Sequence, residues 1–186
     1  MRLRVFAPHA DVTASYTGGF YDFGPFDGPS LEVGRFCIRA DAFSADILRL
    51  AWGALTAWVT ARGISHLFGC ASFAGTDPNA YADAFGLLAA GHVSNMHIAP
   101  QDIDSNPLSA ISSSAIDRKL AQAQLPPLLR SYLGMGGYVG ADAIIDHDLG
   151  TILVFAGLDI AEIPPARAKS LRSLAKGLHI ATAQHS

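Results

Sequence analysis

The segment Leu31-Glu32-Val33-Gly34-Arg35-Phe36-Cys37-Ile38 sets a carboxylate, a glycine and a guanidinium inside an otherwise apolar run. Side chains of a strand alternate between two faces. Glu32, Gly34 and Phe36 then share one face, and Val33, Arg35 and Cys37 the other. Charges inside a buried segment are costly unless they are paired or used. A glycine within a strand marks a bulge or a close backbone approach. One reading is an ion pair of Glu32 with Arg35 that ties the strand to a neighbouring helix. The other is a carboxylate at a bulge, beside a helix N-terminus, placed as a general base or as an anchor for an amine. A second candidate is Ser72-Phe73-Ala74-Gly75-Thr76-Asp77-Pro78. Asp77 before Pro78 is by default a helix N-cap. Ser72, Phe73 and Gly75, however, fall where a strand ends, a common place for ligand contacts in α/β sheets.

The elements that must hold these residues follow from periodicity and punctuation. Residues 1–6 alternate as a strand. Pro8 to Ser30, rich in Gly, Pro, Asp and aromatics, reads as a long loop of the kind that is functional or mobile. After the Glu32 strand comes a turn at Arg39-Ala40-Asp41. A helix from about Ser44 to Arg62 then places Ile47, Leu50, Ala51, Ala54, Leu55 and Trp58 at helical spacing and closes at Gly63. A short strand at 66–71 precedes the helix opened by Asp77, which runs to about Ala90. Residues 92–98 read as a strand and 101–114 as polar turns. A helix from Ala115 restarts after Pro126-Pro127. Strands follow at 138–140, 143–146 and 151–155, with a turn at 148–150, and Pro164-Pro165 opens a last helix ending near Gly177. Helices and strands in this order predict one mixed α/β domain over 1–186, a sheet with helices packed on it. A strand at residue 1 with no lead-in suggests that preceding elements are missing or belong to a longer reading frame.

Composition narrows the function. With 50% hydrophobic and 16% charged residues the chain is globular, and a net charge of −3 gives no reason to expect nucleic acid. Cys37 and Cys70 lie in apolar runs and suit buried thiols of a reducing compartment. No signal peptide is visible, and 47–59 is too short to span a bilayer, so a cytoplasmic location is expected. Arg167, Lys169, Arg172 and Lys176 crowd the last helix; they read as a solvated face, or as a dock for an acidic partner or an anionic membrane. P-loop, dinucleotide, nucleophile-elbow and zinc-protease motifs are absent. His92 and His97 lack a carboxylate at ligand spacing, so no metal is expected. Gly134-Met135-Gly136-Gly137 reads as a helix cap with Met135 filling the core.

Residues 31–37 resemble the Glu-x-Gly-Arg-x-Cys strand of the bacterial ornithine-lipid acyltransferases, relatives of the acyl-homoserine-lactone synthases, which carry a similar Glu-x-Ser-Arg-Phe. The likeness extends over Arg2-Leu3, Gly19-Phe20-Tyr21, residues 47–55 and 68–78, Leu125 to Tyr132, Gly136-Gly137 and residues 154–158. It implies a GNAT-like fold, a mixed twisted sheet flanked by helices, here apparently without the family's first strands and helices. It also implies transfer of a 3-hydroxyacyl group from acyl carrier protein to the α-amine of L-ornithine, with no bound cofactor. The turn after Ile38 lacks the Arg-x-x-Gly-x-Gly/Ala pattern for coenzyme A, which fits a carrier-protein donor. On this resemblance Glu32 is the catalytic base and the Gly34 backbone an oxyanion donor. Arg35 holds Glu32 or binds the phosphopantetheine phosphate, Phe36, Phe73 and Trp52 line the acyl channel, core packing accounting for Trp52 equally well, and Ser72 and Asp77 contact substrate, Asp77 through the ornithine side-chain ammonium. The alternatives are another amine acceptor, or a non-catalytic remnant that binds a partner.

Overall fold

The computed structural model describes residues 1–36, 45–111 and 115–183. Strands β1 (Arg2–Phe6), β3 (Ser30–Gly34), β4 (His66–Ala74), β6 (Ser105–Pro107), β7 (Tyr138–Asp146) and β8 (Thr151–Asp159) form one mixed sheet in the order β1-β3-β4-β8-β7-β6. β2 (Tyr21–Phe23) and β5 (Ile98–Pro100) pair separately. β3 and β4 run parallel, joined across α1 (Ala45–Ala61); the remaining ladders of the sheet are antiparallel. The other helices are α2 (Ala82–Gly91), α3 (Leu108–Ile111), α4 (Arg118–Gln124), α5 (Pro127–Leu133) and α6 (Pro165–Ala183). The mixed α/β architecture expected from the sequence is what forms.

Two cores lie on the two faces of the sheet. One packs Leu31, Val33, Leu67 and Leu158 against helical residues such as Leu55, Leu88 and Leu129. The other is aromatic: Phe23 meets Phe68 and Phe155 at 5.4 and 5.0 Å between ring centroids, and Phe26 meets Phe68 at 5.3 Å. This second core corrects the reading of residues 8–30 as an open loop. Tyr21, Phe23 and Phe26 are buried because that face of the sheet has no helix to cover it, and Tyr21 anchors the segment by donating to the Asp142 and Leu153 carbonyls at 3.0 Å each.

Several boundaries move. β3 ends at Gly34; Cys37, Ile38 and the turn expected at 39–41 lie outside the described residues. α1 turns inward a face that only partly matches the one its spacing predicted. Of that set Leu55 is buried, beside Trp52 and Val59, and Trp58 packs against the core, while Leu50 is 53% exposed and Ala54 is exposed as well. The helix carries apolar arcs on two sides, and only contact with the sheet chooses between them. Gly63 closes it with a φ of +59° and Ile64 N–H bonded to the Val59 carbonyl, the expected Schellman end. The strand expected over 92–98 is reduced to a Val93–Val139 bridge before β5, and the polar stretch 101–114 contains β6 and α3. The two strands expected at 138–146 are one, β7, with a register break between Val139 and Ala143. α6 runs past Gly177 to Ala183.

Candidate functional site

β3 is built to bury a charge. Its flanking residues Leu31 and Val33 face the helical core, so alternation sends Glu32 to the opposite side of the sheet, where it is only 3% exposed. A buried carboxylate needs donors. Thr17, fully buried in a 3-10 turn at Thr17–Gly19, supplies two: its backbone N–H and its hydroxyl both donate to Glu32 Oε1, at 2.7 and 2.8 Å. No ion pair joins Glu32 to Arg35 among the described residues, and Thr17 is the partner the structure gives the carboxylate. Thr17 was missed from the sequence, because nothing in a Gly- and aromatic-rich stretch signals a carboxylate fifteen residues away.

The feature expected at Gly34 sits one residue later. The β1–β3 register is continuous from Ser30 to Gly34, and Arg35 takes the left-handed φ of +50°. Gly34 is not sterically required, since a Cβ there would meet nothing within 4 Å. The close approach is at Gly69 in β4, where a Cβ would fall 2.5 Å from the Val33 carbonyl oxygen. The turn at Arg35 also breaks the expected alternation. Arg35 and Phe36, expected on opposite faces, both line one cleft.

That cleft opens where the parallel ladder stops. β3 and β4 pair only from Ser30↔His66 to Glu32↔Phe68, yet β4 runs on to Ala74 with β8 alone as partner strand. Beyond that point no strand among the described residues pairs with the far edge of β4, whose backbone groups border the opening. Val33, Arg35, Phe36, Cys70, Ala71 and Ser72 form one wall; Leu48 and the stretch Pro126–Leu129 form the other, around a volume of about 410 Å³. Cys70 lies between this cleft and the Glu32–Thr17 pair. Burial pushes its thiol up to about 12, and the Glu32 charge adds to this against a hydrogen bond with Thr17, so it stays neutral at physiological pH. Tyr16 borders the same cluster; partial burial raises its hydroxyl, followed by the charges of Cys70, Asp146 and Glu32, with Arg35 opposing.

The structure thus brings Glu32, Arg35, Phe36 and Ser72 to one region, with Glu32 one layer behind the wall. It does not bring Phe73 or Asp77 there. Phe73 is 2% exposed and packs edge-on against Tyr81 and Phe85 at 5.0 and 4.9 Å, because Ser72 and Phe73 belong to β4 and alternate. Asp77 is exposed and caps the 3-10 turn Pro78–Tyr81 through the Asn79 N–H, the default reading of an Asp-Pro pair.

A mixed six-stranded sheet flanked by helices, opened between two parallel strands over a buried carboxylate, is compatible with the GNAT-like acyltransferase fold. No family model and no solved structure matches the chain. Among curated proteins it is similar to the L-ornithine N(alpha)-acyltransferases of Rhodobacter capsulatus (31% identical over 153 residues, 81% of this chain and 59% of the relative), Brucella abortus (33% over 138 residues, 72% and 48%) and Rhizobium meliloti (30% over 166 residues, 81% and 55%). The chain is a homologue of the L-ornithine N(alpha)-acyltransferases over the part it shares with them, and it spans about half the length of these relatives.

Proposed function

We propose that the chain carries the acyl-transfer site of an N-acyltransferase that moves a 3-hydroxyacyl group from acyl carrier protein to the α-amine of L-ornithine, giving lyso-ornithine lipid. The observation that carries this is the cleft at the β3–β4 divergence with the Glu32–Thr17 pair directly behind it. The donor's phosphopantetheine arm lies along the far edge of β4, whose backbone groups match its amides, and Arg35 meets its phosphate. The ornithine nitrogen attacks the thioester carbon; the C–N bond forms, the C–S bond breaks and the carrier thiol leaves. The ammonium proton passes to Glu32 through the Thr17 hydroxyl or a water. Backbone N–H groups of the opened strands, Gly34 among the candidates, stabilise the oxyanion.

Charge distribution supports a macromolecular acidic donor. Residues 45–62 and 165–183 hold six of the chain's 13 Lys+Arg (Arg49, Arg62, Arg167, Lys169, Arg172, Lys176) and one of its 16 Asp+Glu, Asp46. α1 lines the cleft through Leu48, and α6 packs against α1.

Glu32→Gln keeps the shape and the Thr17 hydrogen bonds while removing the base. Assayed with acyl carrier protein donor and ornithine, it is expected to lose about 10²- to 10⁴-fold in turnover; undiminished turnover across pH sinks the base role.

A further inference from the structure

Arg49 of α1 and Arg167 of α6 line one cavity of about 230 Å³, to which α5 contributes Ser131. Its lining is of two kinds. Trp52 and Met135 are buried and Leu48, Leu171 and Leu174 half-buried, whereas Arg49, Arg167 and Ser170 are exposed. The cavity therefore has an apolar floor and a cationic rim. The Ser131 hydroxyl donates to the Pro127 carbonyl at 3.0 Å, which leaves Ser170 as the hydroxyl donor of the rim. Neither guanidinium is strongly neutralised. Arg49 meets Asp46 at 3.4 Å, an exposed pair of the kind that contributes little. Arg167 pairs with no acid among the described residues. Its Nη2 lies beside Gly134 at the end of α5, 3.4 Å from where a Cβ would stand, and the carbonyl end of a helix favours a cation there.

We propose that this cavity binds the phosphate of an anionic lipid, with the Arg49 and Arg167 guanidinium groups on the phosphate oxygens and the apolar floor beneath the glycerol and first methylenes. Guanidinium forks match phosphate oxygens in geometry as well as charge. A free phosphate would leave the floor uncovered. The carboxylates of a carrier protein are the rival anions, and they too bring no apolar tail to set on that floor. The surroundings favour a bilayer as the source of the phosphate. Leu50, the residue after Arg49, is 53% exposed, and α1 and α6 with Arg62 hold six bases against the single acid Asp46. An exposed leucine among arginines and lysines is what an interfacial helix presents to headgroups, and clustered bases are drawn to an anionic leaflet. The inference stands apart from the acyl-transfer reading, and its lipid measurements contain neither acyl donor nor amine.

Sedimentation of the full chain with vesicles tests this, using phosphatidylcholine alone and phosphatidylcholine with about 30% phosphatidylglycerol. The chain is expected to bind the anionic vesicles about tenfold more tightly or better; equal binding to both, or none, overturns the proposal. Arg49→Gln combined with Arg167→Gln is expected to remove about tenfold of that preference. Lys169→Gln combined with Lys176→Gln removes the same charge from outside the cavity lining and is expected to cost about threefold or less. Equal losses from the two pairs mean a diffuse attraction and overturn the site. Calorimetry with soluble dihexanoyl phosphatidylglycerol and with inorganic phosphate separates the sources. Lipid binding that the arginine pair abolishes upholds the site, and inorganic phosphate binding as tightly as the lipid overturns the lipid assignment. Carrier-protein binding weakened by the arginine pair, with vesicle binding intact, gives the cavity to the carrier protein and overturns it as well. Should the arginine pair fail to fold by circular dichroism, Ser170→Glu sets a carboxylate on the exposed rim and is expected to abolish the preference for anionic vesicles; a retained preference overturns the proposal.

Discussion

At the residue scale the site depends on two side chains, a buried Glu32 and a half-buried Cys70 that lines the cleft. The Cys70 thiol is raised from an ordinary 9.0 to about 12, first by burial. The sign follows from linkage: the folded thiol stays neutral while the unfolded one ionises, so stability is full below pH 9 and is lost as pH rises toward 12. Buried tyrosines titrate above their ordinary 10.0 in the same direction, so the window from pH 9 to 10 lies below them, and the Cys70→Ala comparison assigns the change to this thiol. Urea denaturation across that window is expected to show a decline in stability that Cys70→Ala flattens. Gly69 gives a sharper test of packing. Gly69→Ala drives a methyl onto the Val33 carbonyl oxygen at 2.5 Å and is expected to cost about 1–3 kcal/mol. Gly34→Ala meets open space and is expected to stay within about 0.5 kcal/mol. The sequence marked Glu32 as a carboxylate with work to do; it could not show which glycine lets β3 and β4 approach, because that depends on the strand opposite.

At the scale of elements, the determining event is the end of β3. Arg35 in the left-handed region costs roughly 1–2 kcal/mol relative to ordinary backbone, and this turn releases β3 from β4 and carries Arg35 and Phe36 into the cleft. Arg35→Gly is expected to gain about 1 kcal/mol in thermal or urea unfolding while the KM for the carrier-protein donor rises; a loss of stability would show that the guanidinium supports the fold instead. The helices were legible from spacing and caps: Asp77-Pro78, Gly63 and Pro165 all punctuate where expected. The inward face of α1 was legible only in part. Leu50 and Ala54 form as regular a stripe as Trp52, Leu55 and Val59, and helical periodicity cannot rank two stripes on one helix. Phe73 was assigned to the site because 66–71 seemed to end a strand; three more residues in β4 returned it to the core.

At the scale of the whole molecule, a chain of net charge −3 gathers its bases on the α1–α6 layer. With an acidic carrier protein as donor, KM is expected to rise with salt as the attraction is screened. Reversing the exposed Lys169 and Lys176 to Glu is expected to raise KM about tenfold at low salt and to flatten that dependence. Steady-state kinetics at two ionic strengths checks both, and a salt-independent KM removes the basic layer from donor binding. No helix among the described residues is long and apolar enough to cross a membrane.

The sequence by itself determined the mixed α/β class, the likeness to ornithine-lipid acyltransferases and the segment around Glu32, because periodicity, turn residues and a distinctive charged strand are local properties. Only the tertiary structure decided that Thr17 holds Glu32, that Gly69 and not Gly34 is the close contact, and that the cleft opens past Phe68. Each of these is set by segments far apart in the chain meeting across the sheet. Burial and hydrogen bonding belong to those meetings and are not written in any one segment.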